Sequence, residues 1–244
     1  MTYSDALGVF IQGMSDPQAL QQHLQSKFSE AQIQTAYESR VQEARELARE
    51  KKITPLSAFW ILLERTYEKT LPPRTCERGC GYCCHQAVGL TQLEWDGILK
   101  LANEENIDLN RFIERSERTI NRVQKVLDSG KDLEQLDWHN LLVNQPCPFL
   151  EEDQSCAVYS ARPLDCRLVV AFRDTCGSKK LEHAQRGSVI DEAVGSTVIA
   201  KLQNEQTPKF KRRKFTGKAP LKLIQHWLIL WRDKQGKKSG KRKK

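Results

Sequence analysis

The chain has no long apolar run. Its longest clear apolar stretch covers residues 58–63, whereas a membrane-spanning helix needs about 20 predominantly apolar residues. Mean hydropathy is −0.60. The opening residues, MTYSDALGVFIQG, lack the basic stretch and apolar stretch of a secretory signal. We therefore expect a cytoplasmic protein that does not contact membranes.

Acidic residues are scarce at the C-terminal end. From residue 208 to residue 244, 15 Lys and Arg accompany one acidic residue, Asp233, which gives this part a net charge of +14. Residues 1–207 carry a net charge of −6. The last eight residues, KKSGKRKK, contain no apolar side chain, so we expect residues 237–244 to be disordered.

Sequence signatures of catalysis are also missing. There is no Gly-rich phosphate loop and no Ser–His–Asp pattern, and the five histidines are scattered. Only His85, which follows a group of cysteines, is a plausible ligand. We identify no catalytic residue and no residue that binds an organic cofactor.

What the sequence does contain is a series of helix signals, with no internal repeat and no series of alternating strands. Thr91 with Glu94 is a capping box, and Thr54-Pro55 and Ala219-Pro220 are typical of helix starts. We predict a mainly α fold with a loop-rich cysteine module. The predicted helices cover roughly residues 16–52, 54–71, 91–103, 108–129, 188–204 and 219–234.

The predicted organisation has four parts. They are an N-terminal helical region (1–73), a cysteine-cluster metal-binding module (74–187), C-terminal helices with a basic linker (188–236) and the basic tail (237–244).

The chain contains eight cysteines. Cytosolic thiols are kept reduced, so a dense cysteine pattern there indicates metal binding or catalysis more often than disulfides. The candidate metal ligands form two groups: Cys76, Cys80, Cys83 and Cys84, and then, after 62 residues, Cys147, Cys156, Cys166 and Cys176.

The first group lies on a predicted tight loop. Gly79 and Gly81 permit the positive φ angles that such a loop needs. A four-sulfur site would require ligands from both groups, which would join the chain near residue 80 to the chain near residue 150. If the loop is extended, the adjacent Cys83 and Cys84 point to opposite sides, so one of them could serve a second ion or stay free.

Thiolate ligands suit zinc and iron–sulfur clusters alike. The sequence leaves open which of them binds, and whether one or two ions are present. Cations near the thiolates would offset their negative charge. The candidates are Arg74, Arg78, His85, Arg162 and Arg167.

The segments CERGCGYCC, CPFL and CAVYSARPLDCR resemble the YkgJ-type cysteine-cluster family, which is described as zinc- or iron-chelating. The resemblance covers roughly residues 74–176. It implies that Cys76, Cys80, Cys83, Cys84, Cys147, Cys156 and Cys166 are the ligands, and it places Cys176 beyond the shared core. Some larger lysine N-methylases that act on flagellin carry a similar cluster, and this chain is short for that architecture.

Three functions are compatible with these observations. The first is a metal-binding protein whose metal is structural. The second is a metal-dependent enzyme for redox chemistry or protein methyl transfer. Cys76-x3-Cys80-x2-Cys83 matches the spacing of radical S-adenosylmethionine enzymes, but the strand series that their β/α barrel needs does not follow it. The third is an adaptor that binds nucleic acid or the ribosome through residues 208–244, where Phe210 and Phe215 alternate with basic residues. No protein partner is indicated.

Overall fold

A computed structural model gives the fold and describes residues 28–70, 79–85, 88–129, 145–168, 190–212 and 214–241; within these ranges, the side chains of residues 82, 83, 127, 211 and 238–241 are not described. The described part of the chain is helical with few strands, which confirms the mainly α fold. None of its helices is long and apolar enough to cross a bilayer.

The described residues contain seven α-helices and two short strands. In chain order they are α1 (Glu30–Lys51), α2 (Pro55–Thr70), β1 (Gly89–Leu90), α3 (Gln92–Glu104), α4 (Ile113–Asp128), α5 (Leu164–Leu168), α6 (Ile190–Gln206), β2 (Lys222–Leu223) and α7 (Ile224–Lys241). Single 3-10 turns occur at Tyr82–His85, Leu109–Phe112, Tyr159–Ala161 and Lys209–Lys211.

Local capping signals account for several helix starts. At α3, the Thr91 hydroxyl accepts from the Glu94 amide, and the Glu94 carboxylate accepts from the Thr91 amide, as predicted. Thr54 caps α2, because its hydroxyl accepts a 3.0 Å hydrogen bond from the Ser57 amide. Asp108 caps the 3-10 turn that leads into α4.

The first predicted helix is interrupted at Ser29. Ser29 and Gln32 form a capping box at the start of α1, so the helix does not run unbroken from residue 16 to residue 52. Residues 1–27 lie outside the described residues. The helix ends where predicted, with Lys52 in the left-handed conformation.

The last helix also differs from its prediction. Residues 222 and 223 form β2 instead of the first turn of the helix, because they pair antiparallel with β1, Leu223 opposite Gly89 and Lys222 opposite Leu90. Helix α7 therefore begins at Ile224. The segment 237–244, predicted to be disordered, is helical as far as Lys241.

Two hydrophobic cores organise the described residues. The first lies between α1, α2 and α6 and includes Phe59, Leu63 and Leu202. The second lies between α3, α4, α7 and the segment 147–158, and it contains Trp227 and Phe149. Each core takes residues from more than one of the four predicted parts, and that division of the chain remains a prediction.

Candidate metal centre

The two cysteine groups meet in the structure. The amide of Cys147 donates a 2.6 Å hydrogen bond to the carbonyl of Cys84, although 62 residues separate them. Gly81 lies against the same downstream segment, with Leu150 and Gln154 next to its α-carbon. The predicted approach of the chain near residue 80 to the chain near residue 150 is therefore present.

The first cysteine loop differs in detail from its prediction. Gly79 has a φ of 100°, as expected for a tight loop, whereas Gly81 does not adopt a positive φ. A Cβ at Gly81 would lie 3.0 Å from Leu150 Cδ1 and 3.2 Å from the Gln154 carbonyl oxygen. Gly81 is thus required by the close approach of two segments, not by its dihedral angles.

The adjacent residues Cys83 and Cys84 do not lie in an extended segment. Cys83 and Cys84 lie in the 3-10 turn Tyr82–His85, and the amide of Cys84 donates to the carbonyl of Gly81 at 3.0 Å. The assumption of an extended backbone at these two cysteines is therefore wrong. The sulfur of Cys84 is partly buried, and the side chain of Cys83 lies outside the described residues.

The segment that carries Cys147 and Cys156 folds back on itself. Leu150 and Cys156 form an antiparallel bridge, and the amide of Ala157 donates to the carbonyl of Phe149 at 2.9 Å. Cys147 is buried, and Cys156 and Cys84 pack partly buried against the same core. These three cysteines therefore border one apolar environment.

Arg115 on α4 fixes the Cys147 turn. Its Nη1 lies 3.1, 3.2 and 2.6 Å from the carbonyl oxygens of Cys147, Pro148 and Leu150, to which it donates. Arg115 was not among the predicted site residues, because nothing near it in the sequence distinguishes it from the other arginines of its helix. Only the return of the chain at residues 147–150 gives it this role.

Cys166 lies on α5, one turn after Pro163, as predicted. The amides of Cys166 and Arg167 both donate to the Pro163 carbonyl at 3.1 Å. Glu94 holds the start of this helix, since its Oε1 accepts a 2.9 Å hydrogen bond from the Leu164 amide. Asp165 accepts a 3.2 Å hydrogen bond from the Gly89 amide. Residues 88–94 thus connect α5 to the rest of the cysteine module.

Glu94 is buried among these contacts. Removal from water raises the pKa of its carboxyl to about 7, against the opposing effect of hydrogen bonds from Leu164 and Thr91. The sequence predicted Glu94 as a capping residue only. Its second role, at the start of α5, depends on a contact between residues 70 positions apart.

The predicted cations have different roles. Arg167 is buried, donates to the carbonyls of Ser160 and Arg162, and lies 4.6 Å from the centre of the Trp60 ring. Burial, together with the charge of Arg162, lowers the pKa of Arg167 to about 10, so it remains charged at neutral pH. Arg162 lies 3.8 Å from the centre of the Tyr159 ring. Arg74 and Arg78 lie outside the described residues.

Chemically, the described cysteines suit a soft metal. Five described cysteines are buried or partly buried, and they occur on two segments, 79–85 and 145–168, which the backbone hydrogen bond from Cys147 to Cys84 links: Cys80, Cys84, Cys147, Cys156 and Cys166. Within the described ranges, no three Cys, His, Asp or Glu side chains form a group that could hold a metal ion. Cys76 and Cys176 lie outside those ranges.

Comparison with known proteins finds one family similar to the cysteine module. Residues 75–185 match the CxxCxxCC family, described as a putative zinc- or iron-chelating domain. No curated protein and no solved structure matches the chain. The match covers the cysteines from Cys76 to Cys176, and so includes both groups that the fold brings together. Residues 75–185 are therefore similar to the CxxCxxCC family, and this similarity supports a metal-binding role for the cysteine cluster.

Proposed function

We propose that the cysteine cluster binds zinc or iron through thiolates and that the metal has a structural role. The hydrogen bond between Cys84 and Cys147 carries this proposal, because it places the two cysteine groups side by side. A metal held by both groups would close the long connection between them. Metal binding of this kind is worth about 10–16 kcal/mol in small zinc domains, and it contributes directly to folding.

The proposed ligands come from the eight cysteines of the two groups. Cys80, Cys84, Cys147, Cys156 and Cys166 lie on segments that contact one another. Cys76, Cys83 and Cys176 complete the proposed set on the strength of the sequence pattern. When bound, the metal supplies a cation that stabilises several thiolates at neutral pH.

Burial supports a structural role. Cys147 is 7% exposed, and Cys84 and Cys156 pack against the second core. A thiolate without a counter-charge is unfavourable in such surroundings. A metal ion removes this cost and excludes water from its ligands, which suits a closed site better than an open catalytic one.

The test combines metal analysis with stability. The protein is purified without oxygen, and its visible spectrum, metal and sulfide content, and unfolding free energy are measured before and after chelation. We expect about one or two metal ions per chain and a loss of stability after chelation. A brown protein with sulfide would indicate an iron–sulfur cluster, and a colourless one with zinc would indicate a zinc site.

One variant and its control make this test more specific. Cys147→Ser should lose metal and stability together, and chelation should then have little further effect. Ser155→Ala, a neighbouring change that removes no thiol, is the control and should behave like the wild type. If Cys147→Ser keeps its full metal content and stability, the proposal is wrong. If chelation leaves wild-type stability unchanged, the metal is bound but is not structural.

A further inference from the structure

A strongly basic segment joins α6 to α7. No acidic residue occurs between Glu205 and Asp233, whereas eight Lys and Arg do. Lys209, Arg212 and Lys214 are exposed in the first half of this segment. The surface here therefore carries positive charge that its own sequence does not offset.

The fold holds this segment in place. The Arg212 side chain donates to the carbonyls of Thr207 and Glu205, with Nη2 3.2 and 2.5 Å from their oxygens. It thereby satisfies carbonyl groups at the end of α6, which ends at Gln206. Lys201 on α6 lies with its Nζ 5.3 Å from the centre of the Phe215 ring. The basic segment is thus fixed along the end of α6 and is more than a solvated tail.

Phe210 stands at the middle of this fixed segment. It lies in the 3-10 turn Lys209–Lys211, and 84% of its surface is exposed. Among the described residues, Phe210 is the only large hydrophobic residue that is exposed. A single exposed apolar residue is common on protein surfaces. Here, however, the residue lies in a 3-10 turn, and the exposed residues Lys209 and Arg212 are close to it along the chain.

We propose that the basic segment, through its described residues 207–212 and 214–218, binds single-stranded nucleic acid. Phe210 would stack on an unpaired base, and Lys209 and Lys214 would contact phosphates. Base–aromatic stacking requires an exposed base face, which a duplex does not offer along its length. The neighbouring cations provide the electrostatic attraction that every nucleic acid shares.

An anionic membrane surface is less suitable as the partner. Helices that bind membrane surfaces present several apolar side chains on one face. In α7 the apolar side chains Ile224, Trp227 and Leu228 are buried in the second core. The basic segment is left with one protruding ring, which fits a stacked base better than a lipid surface.

Point substitutions are needed to test this proposal. Deletion of residues 208–244 would remove Ile224, Trp227 and Leu228 from the core, so loss of binding could follow from unfolding. The experiment uses the metal-loaded full chain and a labelled oligonucleotide of about 20 nucleotides, as RNA, as DNA and as a DNA duplex. Fluorescence anisotropy gives Kd between about 50 and 200 mM salt.

Phe210→Ala should weaken single-strand binding by at least about fivefold, the lower limit for loss of one stacked base. It should leave the salt dependence unchanged. The double change Lys209→Gln with Lys214→Gln should weaken binding and reduce the slope of log K against log salt by about 0.7 for each phosphate that is no longer neutralised. Lys100→Gln, an exposed lysine on α3 paired with Glu104, is the matched control and should change neither quantity.

Three results would overturn the proposal. The first is absence of measurable single-strand binding at about 50 mM salt. The second is an unchanged Kd for Phe210→Ala, which would leave only nonspecific charge attraction. The third is binding to the duplex, or to phosphatidylserine vesicles, that is as tight as or tighter than binding to the single strand. Metal content measured on each variant ensures that a change in binding does not arise from the cysteine cluster.

Discussion

The backbone amide of Cys147 donates a hydrogen bond to the carbonyl of Cys84, and this contact joins the two halves of the cysteine pattern. The donor comes from a turn that α4 holds, and the acceptor comes from the 3-10 turn Tyr82–His85. A backbone hydrogen bond therefore holds the two cysteine segments together.

Arg115 should control the stability of the Cys147 turn. Arg115→Gln shortens the side chain and removes the charge that binds three carbonyl oxygens. We expect a loss of about 2–3 kcal/mol in unfolding free energy, because hydrogen bonds to charged groups are the stronger ones. Urea denaturation of the metal-loaded protein measures it. Arg118→Gln, an exposed residue on the same helix, is the control; equal effects of the two changes would contradict this role.

Gly81 should tolerate no side chain. In Gly81→Ala the new Cβ would lie 2.7 Å from Gln154 Oε1 and 3.2 Å from the Gln154 carbonyl oxygen. Backbone cannot move aside as a flexible side chain can, so we expect a loss of about 1–3 kcal/mol in stability and a lower metal content. Gly236→Ala is the matched control, since nothing lies within 4 Å of its added Cβ. In a helix this change should stabilise by about 0.5–1 kcal/mol. A Gly81→Ala protein as stable as the wild type would show that the two segments can separate without cost.

Glu94 should make stability depend on pH. Its folded-state pKa is raised from 4.5 to about 7, so its contribution to stability is complete below about pH 4.5 and is lost as the pH rises through about 7. The expected slope in this window is about 1.4 kcal/mol per pH unit. Glu94→Gln removes this titration. It also replaces one of the two oxygens that accept from Leu164 and Thr91 with an amide nitrogen, which donates.

The measurement is the unfolding free energy of wild type and Glu94→Gln from pH 5 to pH 8. Thiolate protonation weakens metal binding at low pH in both proteins, so the difference between the two proteins isolates Glu94. The variant should be less stable at the acidic end, and the gap should narrow as the pH rises. If the unfolding free energies of the two proteins differ by the same amount at every pH, Glu94 does not titrate in this range.

Trp227 should connect α7 to β1. Its Nε1 donates a 3.0 Å hydrogen bond to the carbonyl of Leu90, and its ring stacks on Trp95 with centroids 6.2 Å apart. Trp227→Phe keeps an aromatic ring but leaves a buried carbonyl without this donor, at a cost of about 1–3 kcal/mol. Thermal unfolding followed by circular dichroism measures it. Trp231→Phe, at a partly buried position on the same helix, should reduce stability less. A larger loss for Trp231→Phe than for Trp227→Phe would contradict the proposed connection.

Features set by neighbouring residues were predictable from the sequence. The Thr91–Glu94 capping box, the start of α2 after Thr54, and the short helix after Pro163 all depend on residues within one helical turn. The Ser29–Gln32 capping box carries the same signature and could have been found in the sequence. The mainly α fold followed from these signals and from the lack of strand alternation.

Features set by distant residues were not predictable. The start of α7 depends on the pairing of Lys222 with Leu90, and no local pattern around residue 219 reports this partner. Likewise, Arg115 acquires its role only when the chain returns at Cys147. At the candidate site, the sequence indicated the cysteines and their chemistry, whereas the contacts that arrange their segments required the fold.

The pairing of β1 with β2 means that the metal-binding unit is not one continuous stretch of sequence. The family match ends at residue 185, yet Ile224, Trp227 and Leu228, some 40 residues later, complete the core beside Cys147. A fragment cut at the family boundary would expose the apolar faces of Trp95 and Phe149 to water. The core beside the cysteine segments is therefore complete only after residues 222–228 have been synthesised and have packed against it.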